Sequence, residues 1–204
     1  ASADAVAEPP SAWSGRVLPI PESDLSGAES RIREAIAAAR DQIARLLVRS
    51  GVSSGARSGT DPGGDSGTDS KSLARAYGRL GALYLLREVE APADTAFHNA
   101  QTLDPTEFRW PYYAGYLAML SGNADQALVY LEAARRIDPD YPPLDLRLGK
   151  VQLDRNALAE ARSSLERAAA RPGLAAAAQF YLGQIANLER RHEDAVTHLT
   201  AALA

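Results

Sequence analysis

Three histidines, His98, His192 and His198, are the most versatile chemical groups in this chain of 204 residues. Imidazole can ligate a metal ion or transfer a proton near neutral pH. His192 and His198 are separated by six positions, which places them on different faces of a helix rather than at the i, i+4 spacing of a metal-binding pair. Cysteine is absent, which excludes thiolate ligands, a cysteine nucleophile and disulfides. We predict no metal site from these residues.

A second candidate for metal binding is a row of carboxylates, Asp61, Asp65 and Asp69. A calcium loop of the EF-hand type needs acidic residues two positions apart and a closing glutamate, and the glycine-rich calcium repeat needs the pattern G-G-x-G-x-D. Neither pattern is present in this stretch. We therefore interpret the three aspartates as solvated residues of a flexible linker rich in glycine and serine, residues 50–71.

The sequence also lacks several signatures of catalysis and cofactor binding. It contains no H-E-x-x-H zinc motif, no G-x-x-x-x-G-K-[ST] phosphate loop and no G-x-G-x-x-G dinucleotide fingerprint. The net charge of −4 provides no basic footprint for nucleic acid, and no apolar run is long enough to cross a bilayer. We therefore expect a chain that is not an enzyme, with no catalytic, cofactor-binding or metal-binding residues, no nucleic-acid partner and no membrane insertion.

The dominant pattern is an internal repeat that starts near Ser72 and continues to the end of the chain. Three classes of residue recur at one constant interval: a glycine (Gly81, Gly115, Gly149, Gly183), an alanine (Ala93, Ala127, Ala161, Ala195) and a large apolar residue (Phe97, Leu131, Leu165, Leu199). A second alanine keeps the same interval (Ala100, Ala134, Ala168, Ala202). Glycine inside a helix costs about 1 kcal/mol relative to alanine, so its recurrence indicates close packing against the following helix.

A two-helix unit with a period of about 34 residues is typical of tetratricopeptide repeats, and the chain resembles that family over residues 72–204. The resemblance implies an all-α solenoid of helical hairpins, wound as a right-handed superhelix of about four repeats. The repeats are predicted at about 74–107, 108–141, 142–175 and 176–204. Their first helices are expected at 72–87, 109–121, 143–155 and 176–189, and their second helices at 92–103, 124–137, 158–170 and 193–203.

The turns inside the four hairpins are expected at Ala91-Pro92, Gly122-Asn123, Arg155-Asn156 and Arg190-Arg191. Pro111 falls near the start of a first helix. A proline is tolerated there because N–H groups of the first turn have no acceptor within the helix, so the lack of an N–H costs no hydrogen bond.

Two further segments precede the repeats. Residues 1–25 contain four prolines and are predicted to be extended; residues 13–22 could lie along the folded body. Residues 26–49 are predicted to form an amphipathic helix that caps the first repeat, opened by a capping box between Ser26 and Glu29. Its apolar stripe needs a partner surface.

The concave face of such a superhelix is lined by the first helices. The family's groove positions correspond here to Gly78, Ala82, Tyr112, Tyr116, Leu146, Lys150, Phe180 and Gln184. These residues depart from the clamp that binds acidic tails, so the resemblance implies an aromatic and apolar groove. The predicted partner-binding residues are Arg109, Tyr112, Tyr116, Leu146, Lys150, Phe180 and Gln184. Alternatively, the aromatic residues only pack one repeat against the next, or residues 13–22 fill the groove with Trp13 as a plug.

Three functional hypotheses follow from this resemblance. The first is a scaffold that binds a protein or peptide segment in its groove. The second is the N-terminal module of a longer exported bacterial protein that recruits or orders another domain, and the third is an array that associates with itself. The start at Ala1-Ser2-Ala3-Asp4 fits a mature chain cut after a small residue, so a periplasmic or secreted location is expected rather than a cytoplasmic one. A trimmed chain would begin in the same way.

Overall fold

The structure is a computed structural model that describes residues 17–50 and 66–203. This part of the chain is helical with short connections and contains no strand. Its helices are α1 (Ser30–Ser50), α2 (Ser66–Leu85), α3 (Glu90–Leu103), α4 (Arg109–Leu120), α5 (Ala124–Ile137), α6 (Pro142–Asp154), α7 (Leu158–Ala169), α8 (Ala175–Leu188) and α9 (His192–Ala202). The predicted all-α class is therefore confirmed, and the helices from α3 to α9 begin and end within about two residues of their expected positions.

The described chain divides into two compact units. The first ends at Leu117 and the second begins at Ala118. In the first unit α2 packs against α3 and α1 packs against α2. In the second unit α6 pairs with α7 and α8 pairs with α9, while α5 contacts α6 and α7 contacts α8. Sequential antiparallel pairs of this kind are helical hairpins, the structural unit of the predicted repeat.

The periodic glycines lie where the next helix of the hairpin comes closest. A Cβ atom added to Gly81 would lie 2.8 Å from the ring of Phe97, and one added to Gly149 would lie 2.5 Å from Cγ of Leu165. The same addition to Gly183 would meet Leu199 at 2.8 Å. The close approach inferred from the sequence is present, but the large apolar residue, rather than the periodic alanine alone, fills the space above each glycine.

The turns inside the hairpins repeat as regularly as the helices. Glu88, Gly122, Asn156 and Arg190 all have positive φ angles, between 55° and 72°, and they occupy the same position in successive repeats. The N–H of the following residue donates to the carbonyl five positions before it, as in Asn123 to Ala118 at 2.9 Å and Arg191 to Ala186 at 2.8 Å. This is the Schellman motif that ends a helix.

The first of these turns corrects a prediction. The expected turn at Ala91-Pro92 is wrong, because the chain reverses at Glu88 and Val89. Ala91 and Pro92 instead lie in the first turn of α3, where a helix leaves its first N–H groups without partners and a proline is therefore tolerated.

The N-terminal helix α1 begins later than expected. The N–H groups of Ile32 and Arg33 donate to the carbonyl of Glu29, while the N–H of Ser26 donates to Oδ1 of Asp24 at 2.8 Å. The predicted capping box between Ser26 and Glu29 is therefore wrong, because Ser26 belongs to a turn before the helix. The apolar stripe was located correctly: Ile36, Ala39 and Ile43 are buried. The role of α1 as a stabilising cap stays a prediction.

The predicted linker ends earlier than residue 71. Residues 66–71 form the beginning of α2, and Asp69 pairs with Arg49 of α1 at 2.7 Å. Ser70 Oγ donates to the carbonyl of Leu103 at the end of α3 at 2.8 Å. The rest of the predicted linker, residues 51–65, lies outside the described residues, as do residues 1–16 with Trp13.

Candidate interaction surfaces

The residues predicted to line the groove divide between the two units. Arg109, Tyr112 and Tyr116 lie on α4 within the first unit, whereas Leu146 and Lys150 on α6 and Phe180 and Gln184 on α8 lie within the second. Each group is therefore described within its own unit.

Tyr112 belongs to an aromatic cluster rather than to an open surface. Only 5% of the residue is exposed, and its ring centroid lies 5.7 Å from that of Tyr113 and 6.3 Å from that of Phe108. Close by in sequence, Trp110 is buried, and a Cβ atom on Gly78 would lie 2.1 Å from its ring. The family's groove position at Gly78 is thus filled by this indole. The environment of Tyr112 is that of a side chain packed within the fold, the alternative considered above, and not that of a residue lining an open groove.

The two cationic side chains of the predicted groove already have carboxylate partners. Arg109 Nη2 lies 2.7 Å from Oε2 of Glu107, and its Nε donates to Oε1 of the same residue at 2.9 Å. This hydrogen-bonded pair lowers the pKa of Glu107 and raises that of Arg109. Lys150 Nζ lies 2.6 Å from Oδ2 of Asp154. For either cation to bind an acidic group of a partner, its internal carboxylate would have to be displaced.

On the second unit, one repeat position has two different environments. Leu146 packs against a cluster formed by Ala161, Leu165, Leu182 and Ile185. Phe180, at the same position of the next repeat, is 45% exposed and makes an edge-to-face contact with Tyr181 at 5.4 Å between ring centroids. Gln184, one turn further along α8, is also exposed.

An open apolar groove lies beside Phe180. It is lined by residues of α8 and of the C-terminal part of α9 and beyond it: Ala176, Ala177, Phe180, Tyr181, Leu199, Ala202 and Leu203. The equivalent groove one repeat earlier is filled, since Leu165, the counterpart of Leu199, is fully buried against α8. Exposed apolar surface of this kind is typical of sites that contact another polypeptide.

A third surface lies on the first unit and was not predicted in this form. The N–H of Leu18 donates to Oδ1 of Asn99 at 2.7 Å, and Nδ2 of Asn99 donates to the carbonyl of Leu18 at 2.8 Å. Arg40 Nη2 donates to the carbonyl of Pro21 at 3.0 Å. The described part of the Pro-rich segment therefore lies along the folded body, as considered above. Its hydrogen bonds go to the second helix α3 and to α1, rather than to the predicted groove residues of the first helices.

Asn99 was missed because it lies outside the periodic positions. The same position in later repeats is occupied by Ala133, Arg167 and Ala201, so that nothing in the repeat indicated a polar function there. The repeat gave no signal for it, because Asn99 lies two positions after Phe97 and one before Ala100 and therefore points away from the helix face that the period predicts to be buried. Its burial is a feature of the tertiary structure. A buried amide requires hydrogen-bond partners.

Three further features bear on metal binding, membrane insertion and catalysis. It contains no group of three histidine or acidic side chains that could hold a metal ion, and none of its helices is long and apolar enough to cross a membrane. Gly51-Val52-Ser53-Ser54-Gly55 matches the G-x-S-x-G spacing of a serine nucleophile elbow. That motif needs a strand before the serine, however, and this pentapeptide lies outside the described residues.

Comparisons with known proteins agree with the hairpin architecture. The tetratricopeptide repeat family model matches residues 118–181. The crystal structure of MamA superimposes with a TM-score of 0.65 at 18% identity and covers 90% of this chain and 95% of that chain. MamA 41-end from Desulfovibrio magneticus RS-1 superimposes with a TM-score of 0.60 at 18% identity, covering 83% of this chain and 94% of that chain. No curated protein sequence matches. At this identity the solved structures show the fold alone, which is the helical solenoid predicted from the period. The match of the family model to residues 118–181 confirms the predicted resemblance to tetratricopeptide repeats.

Proposed function

We propose that this tetratricopeptide repeat protein is a non-catalytic scaffold that binds a segment of a partner protein through side chains that its first helices leave exposed. The repeat fold supports a general role as a protein-interaction scaffold. Binding of a segment along the first helices is the more specific part of the proposal.

The observation that carries the proposal is the exposure of Phe180. Tyr112 and Leu146 occupy the same repeat position, and both are more buried than Phe180. When a partner covers a large aromatic ring that is exposed to water, the free energy of binding becomes more favourable. Aromatic anchors dominate the energetics of interfaces. Gln184 follows Phe180 by one helical turn, so that an apolar anchor and a hydrogen-bonding amide lie on one face of α8.

The state of the cationic residues narrows the chemistry of the partner. Because Lys150 is paired with Asp154 and Arg109 with Glu107, an acidic segment would have to displace these carboxylates. We therefore expect a segment with an apolar or aromatic anchor residue and few acidic groups.

The test is a selection of short peptides from a random displayed library on the immobilised full chain, followed by fluorescence anisotropy with the selected peptides. Phe180→Ala should weaken binding by at least about tenfold, and Gln184→Ala should weaken it less. Val196→Ala on α9 is the matched control, because Val196 is also an exposed apolar residue. Equal affinity for the parent and for Phe180→Ala would refute the proposal for this surface.

A second candidate is the N-terminal module of a longer exported protein that orders another domain. The apolar groove formed by α8, α9 and Leu203 favours it, since α8 itself covers the equivalent groove one repeat earlier. A synthetic peptide of residues 174–189, which carries the covering face of α8, should bind to this groove of the full chain, and Leu203→Ser should weaken that binding. Absence of binding by the peptide would count against an occupant that covers this groove as α8 covers the groove before it.

A further inference from the structure

We propose that Asn99 and Arg40 form a binding site for the main chain of an extended, proline-containing peptide, and that residues 17–22 occupy this site as an intramolecular ligand. The site lies wholly within the first unit, and it uses none of the α8 residues to which the proposed function assigns partner binding.

The amide of Asn99 is matched to a peptide backbone. Its oxygen accepts the N–H of Leu18 at 2.7 Å, and its nitrogen donates to the carbonyl of the same residue at 2.8 Å. Asn99 is fully buried, so that water does not compete for these two bonds. The Leu18 residue, in contrast, is 44% exposed. The contact at this position therefore recognises the main chain, and another side chain could take the place of leucine.

Arg40 provides the second contact and is held in place by the fold. Its Nη2 donates to the carbonyl of Pro21, while its Nε donates to the hydroxyl of Tyr84, each at 3.0 Å. Tyr84 is fully buried, and the Arg40 guanidinium carbon lies 5.9 Å from the centre of its ring. A guanidinium fixed in this way loses little conformational entropy when it binds a carbonyl.

The spacing of the two contacts selects the conformation of the peptide. The two carbonyls that are bound belong to Leu18 and Pro21, which are separated by three positions. A polyproline II helix completes one turn in this interval, so these carbonyls would point in the same direction. Pro19 and Pro21 favour this conformation before binding and cannot donate an N–H themselves. A short peptide of the form x-Pro-x-Pro thus presents its two carbonyls to Asn99 and Arg40 in the required spacing.

The covalent connection determines whether an external peptide can enter. Residues 23–29 connect the bound segment to α1, and Arg33 of α1 donates to the carbonyl of Ala28 at 2.5 Å within this connection. A ligand on so short a tether has an effective concentration in the millimolar range. An external peptide therefore competes poorly with residues 17–22 until the intramolecular contact is weakened.

The experiment uses the full chain and a fluorescein-labelled peptide of residues 17–24. Leu18→Pro in the protein removes the N–H that Asn99 accepts, and it leaves the rest of the site intact. We expect the peptide to bind to the Leu18→Pro protein at least about tenfold more tightly than to the parent. Adding Asn99→Leu to this variant should abolish the gain, while circular dichroism verifies that the double variant remains helical.

Two modified peptides distinguish recognition of the main chain from recognition of the side chain. A peptide with an N-methyl group on Leu18 should lose binding, whereas a peptide with alanine at this position should retain most of it. Absence of saturable binding to the Leu18→Pro protein up to about 1 mM, or equal binding to the variant with Asn99→Leu, would overturn the proposal.

Hydrogen exchange on the parent provides a measurement that does not depend on the external peptide. The Leu18 amide should exchange slowly in the parent and at the rate of an unstructured amide in Asn99→Leu. Fast exchange in the parent would mean that residues 17–22 do not occupy the site, and the proposal would fail.

Discussion

Individual glycines set the distance between paired helices. At Gly149 the side chain of Leu165 occupies the space that a Cβ atom would need, and the carbonyl oxygen of Ala161 lies 3.3 Å from the same point. A side chain can shift at moderate cost, but a backbone carbonyl within a helix cannot, since its shift would disturb the hydrogen bonds of α7. Added volume at this position therefore separates α6 from α7.

We predict that Gly149→Ala lowers the free energy of unfolding by about 1–3 kcal/mol, although alanine is the better helix former. Leu165→Ala removes the clashing atoms, so in the double variant the two changes should cost less than the sum of the single changes. Chemical denaturation of the four proteins in this cycle measures the coupling. Strict additivity would show that Leu165 does not limit the approach of the helices.

At the hairpin turns, residues with a positive φ angle differ in their conformational strain. Gly122 adopts this conformation without a steric penalty, whereas Glu88, Asn156 and Arg190 have a Cβ atom there. The left-handed region costs an L-residue about 1–2 kcal/mol. The Schellman hydrogen bonds of the turn hold these residues in place.

Arg190→Gly should therefore raise the free energy of unfolding, and Gly122→Ala should lower it, by about 1 kcal/mol in each case. Both changes are measured by denaturation at constant pH. Changes of opposite sign in the free energy of unfolding at these two equivalent repeat positions would support a common turn geometry. A destabilised Arg190→Gly variant would contradict it.

At the scale of elements, α1 shows how an amphipathic stripe is used. Ile36, Ala39 and Ile43 are buried in the first unit, and Arg40 beside them bonds to Tyr84 of α2. Val48 near the end of the helix is 85% exposed. Burial is thus concentrated in the middle of α1, where it packs against α2.

Ile36→Ala should destabilise the protein by about 2–5 kcal/mol, because it leaves a cavity at a fully packed position. Val48→Ala on the same helix is the control and should change stability by about 0.5 kcal/mol at most. Thermal melts followed by circular dichroism compare the two variants. Similar melting temperatures would contradict the stabilising role of α1.

The beginning of α2 shows the limit of composition as a guide. Residues 66–71 are rich in serine and were predicted to be linker, yet they are helical. Asp69 pairs with Arg49, and Ser70 bonds to the end of α3. These partners lie 20 and 33 residues away. A local propensity cannot report such contacts, and tertiary interactions override weak helix formers.

At the scale of the whole molecule, stability depends on the protons that the folded chain binds. Burial lowers the pKa of His98 below its ordinary value of 6.5. Hydrogen bonds from Arg191 and Arg162 lower the pKa of Glu189, and a hydrogen bond from Arg109 lowers that of Glu107, both relative to 4.5. For all three groups the unfolded chain binds protons more readily than the folded chain, so that stability falls as the pH decreases.

We therefore expect two steps of acid destabilisation. The melting temperature should fall first as the pH drops below about 6.5, the unfolded value of histidine, and again below about 4.5, the unfolded value of glutamate. His98→Gln should reduce the first step, and Glu107→Gln with Glu189→Gln the second. If the His98→Gln variant keeps the full first step, another group is responsible for it.

The helices and hairpin turns of the repeats follow from the period of the sequence because their causes are local. Apolar spacing defines each helix face, and the hydrogen bonds of each Schellman turn join residues at most five positions apart. The periodic glycines and large apolar residues also predict which neighbouring helices pack against each other. Since each hairpin is made of contacts close in sequence, the order of residues was sufficient to predict it.

Exposure and long-range pairing could not be obtained in this way. Tyr112, Leu146 and Phe180 share one repeat position, yet Tyr112 is in an aromatic cluster, Leu146 is partly covered and Phe180 is exposed. Their environments depend on the neighbours that each helix meets, not on the phase of the repeat. Leu18 and Asn99 lie 81 residues apart, and their pairing requires the fold to bring the extended segment against α3. Contacts between distant residues depend on the packed shape of the chain, which a local pattern does not encode.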